Sequence, residues 1–120
     1  MCFSLGALMV LEECQGRWRV ILHRDVIEFF ERRGLLGELE EWRRSLEESL
    51  NKDPGEIVRL LREPILYSVG GLKRRRYRLY LRGKPYRLLY VVNTKSCLVV
   101  FLLAAKRDEE TYRRLKRRRR

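Results

Sequence analysis

The sequence predicts an α+β domain: a small antiparallel-rich sheet of about four strands, an N-terminal helical hairpin packed on one face, and a short C-terminal helix. Three observations carry that reading. Apolar residues recur at helical spacing through the first half, the period changes to two in the second half, and Gly70-Gly71 separates the regimes. A chain of 120 residues suits one domain with one core. With 45% hydrophobic residues, it has too much apolar material for wholesale disorder.

Taken in order, Arg17–Leu22 alternates, with Trp18, Val20 and Leu22 on one side, and predicts a half-buried strand. Asp25 is placed to cap a helix carrying Val26, Ile27, Phe29 and Phe30 that ends near Gly34. A second helix is expected from about Leu36 to Asn51, because Leu35, Leu39, Trp42, Leu46 and Leu50 form one stripe. Its Glu/Arg-rich remainder reads as a solvated face with local ion pairs. Asp53-Pro54-Gly55-Glu56 has the composition of a helix start with a capping box, and the helix to Arg62 stops before Pro64.

Past Gly71, Tyr77, Leu79 and Leu81 alternate with Arg76, Arg78, Tyr80 and Arg82. Gly83-Lys84 is the expected two-residue turn, and Tyr86–Val92 returns. That turn puts Tyr80 opposite Arg87 and Arg78 opposite Leu89. Opposed residues share a face, so Arg78, Tyr80 and Arg87 point one way while Leu79 and Leu81 point into the helices. Cys97–Ala105 is apolar throughout, as in a strand covered on both faces. Asp108 opens the short final helix with Tyr112 and Leu115 inward. The expected divisions are an extension (1–16), the domain (17–115) and a basic tail (116–120).

The net charge of +12 is unevenly placed. Residues 1–71 carry 10 Lys/Arg against 13 Asp/Glu, whereas residues 72–120 carry 18 against 3. A one-sided field of that size attracts polyanions, nucleic acid first. No apolar run spans a bilayer and no basic amphipathic helix is evident, so no membrane partner is expected. The apolar start, Met1–Leu11, lacks a basic n-region and does not read as a signal peptide. Arginine supplies 22 of the 28 basic residues, which suits forked phosphate contacts. High arginine is also the mark of base composition or of a hot environment, and two Asn with one Gln fit a thermophilic source. Cys2, Cys14 and Cys97 lack paired spacing and an even count, which points to a reducing compartment and no zinc site.

Several chemistries lack their residues. There is no P-loop, no Cys/His ligand cluster and no serine elbow. The single histidine, His23, excludes a two-histidine nuclease and reads as a turn or capping residue. No carboxylate cluster in the basic region would hold Mg²⁺, and Asp108, Glu109 and Glu110 read as first-turn helix acids. No metal and no cofactor is expected. Arginine, lysine and tyrosine remain, and they suffice when a ribose 2′-OH attacks its own adjacent phosphate, because that substrate brings its own nucleophile.

Leu72-Lys73, Tyr77-Arg78-Leu79, Tyr86-Arg87-Leu88-Leu89-Tyr90-Val91-Val92, Val99-Val100-Phe101, Lys106-Arg107 and Tyr112, in that order, resemble the RelE/ParE toxin superfamily over roughly residues 17–115. The resemblance implies a cytoplasmic, metal-independent mRNA endonuclease acting on mRNA in the ribosome, restrained by a RelB-like antitoxin. It further implies that Arg78 is the basic catalytic residue of the second strand, that Arg87 stabilises the phosphate, and that Arg107 and Tyr112 complete the site. Two departures stand out: Tyr80 occupies the place of a strand lysine usually cast as the base, and the Arg107-to-Tyr112 spacing is one residue shorter. Lys73, Arg74, Arg75, Arg76, Arg82, Lys84 and Lys106 are the expected RNA-binding cations. The competing readings are a ParE-like inhibitor of DNA gyrase and a non-catalytic binding protein of the same fold.

Overall fold

The computed structural model describes residues 16–69 and 72–106. Along them run β1 (Arg19–Leu22), α1 (Arg24–Glu31), α2 (Leu36–Lys52), α3 (Pro54–Arg62), β2 (Ile65–Val69), β3 (Leu72–Leu81), β4 (Lys84–Asn93) and β5 (Leu98–Lys106). The strands form one mixed sheet in the order β1-β5-β4-β3-β2, with β1 parallel to β5 and every other pairing antiparallel. The class is α+β, but the sheet has five strands rather than about four. The added strand is β2, a short edge between Pro64 and Gly70-Gly71 that pairs only with the first part of β3. There are three described helices, α3 following the hairpin of α1 and α2. The expected C-terminal helix, the tail 116–120 and residues 1–15 lie outside the described residues.

Local signals explain the helix boundaries. α1 begins two residues earlier than a cap at Asp25 predicts: His23 is the N-cap, its Nδ1 accepting the Asp25 amide at 3.1 Å. Gly34, at φ 68°, ends the turn after α1. Asp53 caps α3 by accepting the Gly55 amide at 2.9 Å, with Pro54 at the first helical position. The capping box does not close. Glu56 instead accepts from Arg59 at 2.8 Å, and the Asp53 amide donates to Ser49 O at 2.9 Å.

The helices cover one side of the sheet. Leu39, Leu46 and Leu50 of α2 are buried there with Val26 and Phe30 of α1 and Leu60 of α3. The sheet supplies Leu79, Leu81, Tyr86, Leu88, Tyr90, Val99 and Phe101. Trp42 packs edge-on against Tyr77 and Phe101, at centroid distances of 5.4 and 4.9 Å. Tyr86 meets Phe30 in the same manner at 5.0 Å. Such pairs add to what burial alone contributes.

β1 is an edge strand, and α2 closes it with side chains. The Trp18 amide donates to Asn51 Oδ1 (2.8 Å) and Asn51 Nδ2 donates to Trp18 O (3.0 Å). The Val20 amide donates to Glu47 Oε2 (2.8 Å), while Arg43 Nη1 donates to Val20 O (3.2 Å). Part of the polar face expected to be merely solvated therefore seals a sheet edge. Arg43 is held for this by Glu40 and Glu47, at 2.7 and 3.2 Å.

Two turn residues correct the hairpin. The turn is Arg82-Gly83, both left-handed at φ 50° and 74°, so Leu81 pairs with Lys84. A two-residue turn with both φ values positive favours glycine second, which explains why Gly83 takes that place. Arg78 thus lies opposite Arg87, and Tyr80 opposite Pro85. The partner shifts by two residues, an even number, so the predicted face is kept. On the other side of β4 the register slips between Leu89 and Tyr90, where β5 steps from Leu103 to Phe101. Cys97 is disulfide-bonded, which runs against the reducing compartment expected from an odd cysteine count. Among the described residues no helix is long and apolar enough to cross a membrane.

Candidate nucleic-acid interface

Alternation along β3 sends Leu79 and Leu81 into the core and leaves Arg76, Arg78 and Tyr80 on the side away from the helices. Arg87 joins them from β4, directly across the ladder from Arg78 and beside Ala105 of β5. Arg78 is exposed, Tyr80 is 58% exposed, and Arg76 and Arg87 are half-buried. Arg78 and Arg87 are opposed in the ladder and share this face, so that both guanidinium groups can fork onto one phosphate. This side is not uniformly open. Leu89 is 0% exposed and Ala105 2%, packed with Leu66 and Leu103 in a second small apolar cluster. The cationic strip therefore follows β3 and the hairpin end of β4. Glu63 is a carboxylate that shares a cleft with Arg76 and Arg78 of the strip.

The basic run before Tyr77 is strand from its start, not loop, and alternation divides it. Arg74 and Arg76 fall on the Arg78 side, whereas Lys73 and Arg75 fall on the helical side. Arg75 Nε donates to Glu63 O at 3.0 Å, and Arg75 lies opposite Tyr90 in the ladder. Past Arg75 no described strand pairs with the outer edge of β3. A cleft of about 180 Å³ opens there, lined by Arg76, Tyr77 and Arg78 with Arg59, Leu60 and Glu63. Arg59 was not singled out from the sequence, because its helical spacing reads simply as an ion-pair partner of Glu56.

Arg82, Lys84 and Lys106 gather elsewhere. With Arg33 they ring a cleft of about 490 Å³ at the hairpin tip. Its floor and walls are Leu35, Leu81, Pro85 and Tyr86. Lys106 lies opposite Tyr86, whose ring belongs to the helix-side core. Arg33 is held by donating Nη1 to Phe29 O at 2.7 Å, with its guanidinium 3.6 Å above the centre of the Phe29 ring. Arg82 pairs with Glu38 of α2. That carboxyl lies below its ordinary range because it accepts its own backbone amide and, next in importance, the Arg82 guanidinium. Sequence alone missed Arg33; its one signal was a basic pair before Gly34 at the end of α1.

Arg107 and Tyr112 lie outside the described residues. The twelve candidate residues thus divide into a strip carrying Arg74, Arg76, Arg78, Tyr80 and Arg87, a hairpin-tip group of Arg82, Lys84 and Lys106, helix-side Lys73 and Arg75, and these two. Among the described residues no three His, Cys, Asp or Glu side chains gather as metal ligands would. No family model, no curated protein and no solved structure matches the chain.

Proposed function

We propose that this protein is a toxin-like endoribonuclease of the RelE/ParE kind, which cuts mRNA at the ribosome in the cytoplasm and is restrained by a RelB-like antitoxin. The observation that carries the reading is the Arg78–Arg87 pair on the side of the sheet away from the helices. The substrate's 2′-oxygen attacks its adjacent phosphorus, the 5′-oxygen leaves, and a cyclic phosphate remains. Arg78 and Arg87 hold the non-bridging oxygens as negative charge builds there. Tyr80 stacks on a flanking base and relays a proton, its phenolic oxygen taking the 2′-OH proton while its own passes through solvent to the departing 5′-oxygen; it stands where the family has its strand lysine. Arg107 and Tyr112 enter by resemblance, on the leaving-group side.

Induced expression followed by primer-extension mapping of transcripts tests this. Cleavage by the parent chain and its loss in Arg87→Ala, by about 10²–10³-fold as for other transition-state charge donors, are expected. Altered DNA supercoiling with intact mRNA would point to gyrase and discard the nuclease. A second reading is non-catalytic RNA binding, favoured because Tyr80 stands where the family has its strand lysine. It predicts salt-sensitive RNA binding without any cut.

A further inference from the structure

The hairpin-tip cleft lies on the helical side of the sheet, whereas the Arg78–Arg87 strip lies on the other, so it is a separate feature. Four cations reach it from four places in the chain: Arg33 after α1, Arg82 in the turn, Lys84 at the start of β4 and Lys106 at the end of β5. All four residues are exposed. Glu38 pairs with Arg82 beside them, so among the described residues the four cations and this carboxylate sum to a net charge of about +3 around one opening. Beneath the cations the surface is apolar, and its Tyr86 ring is fixed edge-on by Phe30.

We propose that this cleft binds a nucleoside phosphate, with the phosphate among Lys84, Lys106 and Arg33 and the base on the apolar floor. Size and charge select that class. At about 490 Å³ the cleft falls within the roughly 300–1,000 Å³ typical of small-molecule sites and is far larger than inorganic phosphate requires. A phosphate dianion matches several converging cations, where a single carboxylate matches one. Arg33 and Arg82 are already held in place, by Phe29 and Glu38 respectively, so less side-chain freedom is lost on binding. The nucleotide is either free or part of an RNA strand. A strand has a route, since Pro85 lines the cleft and lies opposite Tyr80 of the strip.

Titration of the full chain with AMP by isothermal calorimetry, at two salt concentrations, tests the proposal. Saturable one-to-one binding that weakens with salt is expected. The Lys84→Ala/Lys106→Ala double variant should weaken it by about tenfold, in keeping with about threefold for each partly exposed charge contact. Glu38→Gln should tighten it by about two- to threefold, because the opposing charge is removed. That gain is one that mere misfolding would not produce. Lys95→Ala, in the turn between β4 and β5, should change nothing. An AMP-competed oligoribonucleotide whose binding falls in the double variant identifies a strand as the source; oligonucleotide binding indifferent to AMP identifies a free nucleotide. Absence of saturable AMP binding, an unchanged double variant, or displacement of AMP by polyglutamate at lower concentration overturns the proposal. A chain that binds AMP here yet cuts no RNA keeps this site and loses the nuclease. One that cuts RNA and ignores AMP does the reverse.

Discussion

Tyr90 shows how far one side chain can be committed to structure. It is 0% exposed, and its hydroxyl donates to Leu60 O at 2.6 Å, tying the centre of β4 to α3. Burial, and then the Glu63 carboxylate, hold its phenol well above the ordinary tyrosine range. The native state therefore keeps a proton that the unfolded chain releases above about pH 10. Because the native form then binds more protons, stability falls as pH rises through that window, by about 1.4 kcal/mol per unit. Denaturant melts at pH 9 and pH 11 should show Tyr90→Phe less stable than the parent at pH 9, by about 1 kcal/mol. The gap should narrow or reverse at pH 11, and an identical pH slope in both proteins would refute the assignment. The sequence placed Tyr90 in the return strand Tyr86–Val92. Its hydroxyl partner was invisible there, since Leu60 is 30 residues away and presents only a backbone oxygen.

At the scale of elements, the β3–β4 hairpin decides the strip. Arg82 sits in a left-handed conformation that costs an ordinary side chain about 1 kcal/mol and costs Asn less. Arg82→Asn should raise the melting temperature slightly, corresponding to about 0.5 kcal/mol, its lost surface pair with Glu38 being worth little. Gly83→Ala should lower stability by about 1 kcal/mol, since a Cβ is strained at φ 74°. Both shifts are readable by thermal melts, and a neutral Gly83→Ala would show that the turn is other than described. The face of Arg78 and Arg87 was legible in the sequence despite a misplaced turn, because alternation depends only on parity. β2 was not legible: five residues between a proline and two glycines carry no long periodic signal, and its pairing with β3 is what makes it a strand.

For the whole molecule, the open question of a sheet is always its edges. β1 lies at one, and its outward backbone groups are met by Asn51, Glu47 and Arg43. Asn51→Ala should cost about 1–3 kcal/mol, because two paired backbone groups at Trp18 lose their partner. It should also raise self-association, which sedimentation velocity would detect as new dimer or larger species. A variant that remains monomeric with parent stability would show the edge to be protected otherwise. The excess of basic residues over residues 72–120 belongs to this scale too, and any binding of a polyanion by this chain should weaken as salt rises.

Local pattern in the sequence determined the α+β class, the apolar stripe of α2, the proline-led start of α3 and the side of β3 that carries Arg78. Each is a matter of which way neighbouring residues point, and period and caps encode that within a few residues. Tertiary structure alone decided that β5 lies between β1 and β4, that Asn51 closes β1, and that Arg33 meets Lys84 and Lys106. Those neighbours are separated by tens of residues, and they meet because burying one shared core selects the strand order.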